Sequence, residues 1–208
     1  MVSLFSKKWF QLIIIIGGII LVIFGLYKIL VPSGKVSQVF INKFNEVSNL
    51  AEDIANTSAL DLTGLEEKEA AGDFAGALEI TNKALVKNTE TTAKIKNLVD
   101  KTTELKELAQ KITDSSVKES ALKVIGLIEQ NNDLGNRYLN IQKQTIELIS
   151  DYYEKQQAGQ KVSIPEQELT DLSNQATELA QELKEISAQY TTALDEFAKN
   201  ARITFKKK

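Results

Sequence analysis

The chain opens on an unbroken apolar run. Leu12–Tyr27 (LIIIIGGIILVIFGLY) carries no charge, and the apolar character continues past Lys28 to Val31. About 20 residues rising roughly 1.5 Å each match a hydrocarbon layer of about 30 Å, so the pattern predicts a transmembrane anchor over 12–31. Trp9 and Tyr27 stand near its two edges, where interfacial aromatic residues sit, and Lys28 is close enough to the end to snorkel to the headgroups. A cleaved signal peptide is the competing reading. It fits less well, because the run is long and Pro32-Ser33-Gly34 follows it instead of a small-residue cleavage site. Lys7 and Lys8 lie in a tail over 1–11 without acidic residues, which favours a cytoplasmic N-terminus and an extracytoplasmic bundle on a single-pass membrane protein.

Beyond a short linker at 32–35 the apolar positions recur at helical spacing. Phe40, Phe44, Val47, Ala51 and Ile54 share one face of a helix over about 35–56, and a short second helix is expected over about 59–71. A third, over about 73–113, starts at Asp73 and carries Ile95, Leu98, Thr102, Leu105, Ala109 and Ile112 in a heptad seam, with Ala77, Thr81, Ala84, Asn88 and Thr91 in the same phase. The fourth covers about 117–157. In it Asn131 projects to the core phase, either as a buried polar residue that fixes register or at a local kink with Gly135. Ser116 with Glu119, and Ser163 with Glu166, have capping-box spacing. The last helix holds the most regular pattern: Leu169, Leu172, Ala176, Leu179, Leu183, Ile186, Tyr190, Ala193 and Phe197 alternate three- and four-residue steps without a fault.

The expected fold is therefore all-α. One N-terminal transmembrane helix precedes an elongated antiparallel bundle over 36–200, built from three helices of about 40 residues and a shorter broken one. Short connections return the last helix to the membrane side, where 201–208 forms a basic tail. Phe205, Lys206, Lys207 and Lys208 are its candidate membrane contacts, beside Trp9, Tyr27 and Lys28.

Composition narrows the chemistry. The 208 residues include no histidine and no cysteine, with a net charge of −3. Disulfides, thiolate nucleophiles, imidazole bases and Glu-x-x-His di-iron motifs are thereby excluded. No phosphate-binding glycine loop or nucleophile elbow occurs, so no catalytic, cofactor or metal residue is expected and the chain is read as no enzyme. All 28 acidic residues follow the apolar run, against 22 basic ones, so this part is net acidic and nucleic acid is a poor partner. The acids Glu66, Glu67, Glu69, Asp73 and Glu79 gather around one turn, as a solvated face does.

Gly72–Leu85 (GDFAGALEITNKAL) resembles the turn and second helix of a tetratricopeptide repeat through Gly72, Phe74, Ala77 and Ala84. The resemblance spans less than one repeat and does not recur about 34 residues later, so it implies no stacked solenoid. The function expected is that of a non-enzymatic, membrane-anchored module for structure or protein contacts. Its partners are the bilayer and a protein, with self-association through the last helix as one form. The alternative is an extracytoplasmic sensor whose polar core-phase residues Thr81, Asn88, Thr91 and Asn131 line a ligand cavity and which signals through a partner.

Overall fold

The computed structural model describes residues 27–31 and 34–207, with the backbone alone for 27–31 and 206–207. Five helices follow a first strand: β1 (Tyr27–Val31), α1 (Gln38–Thr57), α2 (Leu65–Ala70), α3 (Phe74–Gln110), α4 (Ser115–Gln157), α5 (Glu166–Ala201) and a closing strand β2 (Thr204–Lys207). The protein is an all-α bundle with one two-stranded antiparallel ribbon at its end. At about 1.5 Å per residue, α3, α4 and α5 are rods of roughly 54–65 Å.

Side-chain pairs between helices give the register. Lys43 meets Glu104 at 2.6 Å and Lys94 meets Asp53 at 2.7 Å, which runs α1 antiparallel to α3. Lys106 to Glu129 at 2.8 Å does the same for α3 and α4. Lys123 to Glu196 at 2.8 Å and Arg137 to Glu182 at 3.0 Å do it for α4 and α5. These pairs are largely exposed and add little stability; burial holds the rods together. The lower core includes Phe40, Phe44, Leu98, Leu105, Val124 and Phe197. Because α1 is only 20 residues long it covers half of α3. Above it a separate cluster of Leu65, Ala77, Ile149, Tyr153 and Leu169 closes the tip under α2.

Several local expectations change. The expected helix over 59–71 shrinks to six residues, because Asp61 Oδ1 accepts from Thr63 N in a side-chain turn and Gly64 sits at φ 81°, which breaks the chain before Leu65. Asp73 caps α3 as expected, accepting from Gly76 N at 2.9 Å. The cap of α4 is Asp114 rather than Ser116, and Ser163 makes no box, since α5 starts directly after Pro165. No break occurs at Asn131: α4 is continuous and Asn131 is buried. The apolar segment changes most. Residues 27–31, expected as the last turns of the anchor, are a strand paired with 204–207, the expected tail. Tyr-Lys-Ile-Leu-Val suits either state, and a short apolar run does not reveal which by periodicity. Among the described residues no helix is long and apolar enough to cross a membrane; residues 12–26, and with them most of the expected anchor, lie outside the described residues, as do Trp9 and Lys208.

Candidate functional site at the base of the bundle

The polar residues nominated for a ligand cavity are packed between helices. Thr81, Asn88, Thr91 and Asn131 are all buried. The two threonines donate back to their own helix, Thr81 Oγ1 to Leu78 O and Thr91 Oγ1 to Lys87 O, as buried helical threonines do. Asn88 Nδ2 donates across to Leu139 O at 3.0 Å and to Gln142 Oε1 at 3.4 Å, and Gln142 Nε2 donates to Tyr138 Oη at 3.0 Å. About four turns further along α3, Asn132 Nδ2 reaches Thr102 Oγ1 at 3.3 Å. This polar ladder fixes α3 against α4. Sequence spacing missed Asn132 and Gln142 because they lie one position off the expected seam. Adjacent buried pairs such as Val124-Ile125, Tyr138-Leu139 and Tyr152-Tyr153 were the available signal, since a helix flanked by two others buries a wide face.

Nor do the acids converge. Asp73 binds Lys68 at 2.7 Å and Glu79 binds Lys83 at 2.6 Å. The neighbouring lysines hold both carboxyls below their ordinary values, the opposite of what a general acid needs. Among the described residues no group of three or more acidic, histidine or cysteine side chains could hold a metal ion. The turn that resembles a tetratricopeptide repeat joins α3 to a six-residue α2, too short for the first helix of that repeat.

What the fold does assemble is a base. Ile29 is the register partner of Phe205 and Lys28 that of Lys206, with an irregularity between Ile29 and Val31. Phe205, expected at the membrane, is half-buried: its ring lies 5.6 Å from Phe44 and 6.3 Å from Phe197. Phe197 in turn meets Phe40 edge-on at 5.9 Å. Four phenylalanines thus join α1, α5 and β2. The turn into β2 uses Arg202 in the left-handed region (φ 54°), with Ile203 N donating to Ala198 O at 3.1 Å; glycine usually takes this place at a helix end, and a larger residue there costs about 1–3 kcal/mol. Beside it, Lys35 Nζ binds Asp114 Oδ2 at 2.9 Å and Asn200 O at 3.1 Å, tying the entry turn to α4 and α5.

Charge is divided between the two ends. Segments 27–31, 34–37, 108–118 and 199–207, which meet at the base, carry eight lysine or arginine residues against one acid, Asp114. Segments 58–74 and 151–171, at the tip, carry ten acids against Lys68, Lys155 and Lys161. Asp114 is already engaged: Lys35, the Ser116 hydroxyl and the Val117 amide together lower its carboxyl from 3.8 to about 2. Its contribution to stability is therefore present above pH 3.8 and lost as pH falls toward about 2. Asp114→Asn keeps a good cap but not the charge. Its stability should fall less than that of the parent over this interval, measured by thermal melts at stepped pH; parallel profiles would rule out Asp114 as a contributor.

No protein-family model matches the chain, and no curated protein or solved structure does.

Proposed function

We propose that the protein is a non-enzymatic, single-pass membrane protein whose helical rod stands on the bilayer and presents its length to a protein partner. One observation carries the reading. The strand that follows the apolar segment is hydrogen-bonded to the last strand of the chain, so the anchor and the C-terminal residues leave the rod at one end, and that end is cationic. Because β1 takes 27–31 out of the span, we place the span at 9–26. These 18 residues carry no charge and as a helix extend about 27 Å, within the range that crosses a bilayer.

The absent histidine and cysteine favour contact over catalysis, and so do the carboxyl shifts at Asp61, Asp73, Glu79, Glu104 and Asp114, all of them downward. With Thr81, Asn88 and Thr91 engaged in hydrogen bonds to helix groups and Asn131 buried between helices, the sensor alternative loses the open lining that motivated it. The N-terminus is assigned to the cytoplasm and the rod to the opposite side.

Membranes washed in alkaline carbonate should retain the full chain and release one lacking residues 1–26. Cross-linking in those membranes should trap the rod with a second polypeptide. Release of the full chain by carbonate overturns the anchor, and a rod recovered uncoupled under several cross-linkers overturns the partner.

A further inference from the structure

We propose that the base of the bundle binds the phosphate groups of anionic lipids, with the Lys28–Lys206 register pair at the centre of the contact. This rests on the membrane reading above and adds the chemical identity of the surface beneath the base.

The ribbon itself is the first ground. Like charges at directly opposed positions of an antiparallel pair destabilise it, yet Lys28 and Lys206 are register partners. Alternation along a strand puts this position on the face opposite to Ile29 and Phe205, and Phe205 is the one that meets Phe44 and Phe197. The apolar face of the ribbon is thus turned to the bundle and the two-lysine position belongs to the other. Isolated, such a ribbon is weakened; against a layer of phosphates the same register is favourable.

The surrounding cations are the second ground. Along the shaft, Lys43, Lys94, Lys106, Lys123 and Arg137 have carboxylate partners on neighbouring helices, and the lysines without an ion pair among the described residues, Lys87, Lys96 and Lys184, are scattered along α3 and α5 and not gathered at one end. At the base, Lys111, Lys118, Lys199 and Arg202 have none among the described residues, and Lys111, Lys199 and Arg202 are exposed. The single acid there is consumed by Lys35. Arg202, moreover, holds a backbone conformation that glycine would adopt without strain. Screening acts over about 8 Å at physiological salt, so the acidic tip, some 50 Å or more away, neither cancels nor assists this contact.

The test uses the full chain in lipid nanodiscs of phosphatidylcholine alone or with one-third phosphatidylglycerol, and reads amide exchange over 204–207. Each engaged cation is worth about fivefold, so exchange there should slow at least about fivefold in the anionic discs, and the difference should vanish at high salt. K206E places an acid opposite Lys28; its ribbon should be protected in neutral discs already and gain clearly less than the parent from anionic lipid. R202G should leave the melting temperature equal or higher while reducing the anionic-lipid response about fivefold. Equal exchange of the parent in both discs, or an undiminished response in K206E, overturns the proposal. Protection restored in neutral discs by inorganic phosphate overturns the choice of lipid. Should the chain elute apart from the discs, the anchor reading fails, and the same comparison with added vesicles of both compositions still decides headgroup binding.

Discussion

Phe197→Ala should cost the bundle about 3–5 kcal/mol, the range for deleting a buried aromatic ring, and should free the closing strand from the base. Phe197 is fully buried and is the residue through which α5 touches both Phe40 of α1 and Phe205 of β2. Phe205 is only half-buried, and the ribbon it belongs to has two strands. Such a ribbon is marginal in water without a surface to pack on. Removing Phe197 takes away part of that surface, so the ribbon should lose exchange protection at denaturant concentrations where the helices remain folded. Phe205→Ala should reproduce the ribbon's loss at a smaller global cost. A Phe197→Ala protein whose 204–207 amides exchange together with the helix cores, in one cooperative transition, would show that the ribbon does not depend on this ring.

The helices were legible because each buries a stripe that repeats along its length. From Leu169 to Phe197 the expected seam of α5 is buried at every position except Ile186, which is partly so. The base was legible only in part: the antiparallel path predicts that the C-terminal tail returns to the end that holds Lys28, but not that the two segments pair as strands. Its pieces come from 27–31 and 34–37, from the turn between α3 and α4, and from 199–207, and only the folded path brings Lys28, Lys111 and Arg202 to one end. A strand pair formed between the two extremities leaves no local signal, since register depends on a partner at the far end of the chain. The same limit hid the charge division beyond the basic tail: Lys28, Lys35, Lys111 and Lys118 lie far apart in sequence and gather at one end only once three rods are laid antiparallel. The buried ladder was half legible. Asn88 and Asn131 fall in the core phase, which left burial open as one of two readings, and the structure shows both buried, whereas Gln142 needed the knowledge that α4 is flanked on two sides.

These two failures have a common physical origin. A heptad reading assigns each helix one neighbour, so it underestimates the central helix and leaves unassigned what only caps the ends. The functional reading depends on those ends. Along the shaft, mostly paired charges over the buried seams leave the rod chemically plain. At the base, unpaired cations surround a ribbon whose own register is electrostatically unfavourable. If selection had acted on the fold alone, an acid at position 206 and glycine at 202 would each have improved it. Lysine at 206 and arginine at 202 are therefore not accounted for by the fold alone, which is what the proposed anionic contact at the base would explain.

The tip should answer to a different residue, Tyr153, and there the two substitutions Tyr153→Phe and Tyr153→Ala should part widely. Tyr153 is fully buried, its ring 6.2 Å from Phe74 and 5.4 Å from Tyr152, and its hydroxyl has no hydrogen-bond partner. Burial first, and then the charge of Glu69, push its ionisation above the ordinary phenol range. A hydroxyl desolvated without a partner costs about 1–3 kcal/mol. Tyr153→Phe should therefore leave stability unchanged or raise it by about 1 kcal/mol, whereas Tyr153→Ala should lose about 3–5 kcal/mol through the cavity it opens. A loss of more than about 1 kcal/mol in the phenylalanine variant, measured by urea titration, would mean that the hydroxyl is satisfied by a bound water. Because Leu65 of α2 packs in the same cluster, and α2 leans on α3, the alanine variant should expose the amides of 65–70 first. The four-phenylalanine cluster at the far end shares no residue with this one, so its protection should fall only with global unfolding. Loss of protection at both ends in step would instead make the rod a single cooperative unit, and the tip could then not yield to a partner without loosening the base.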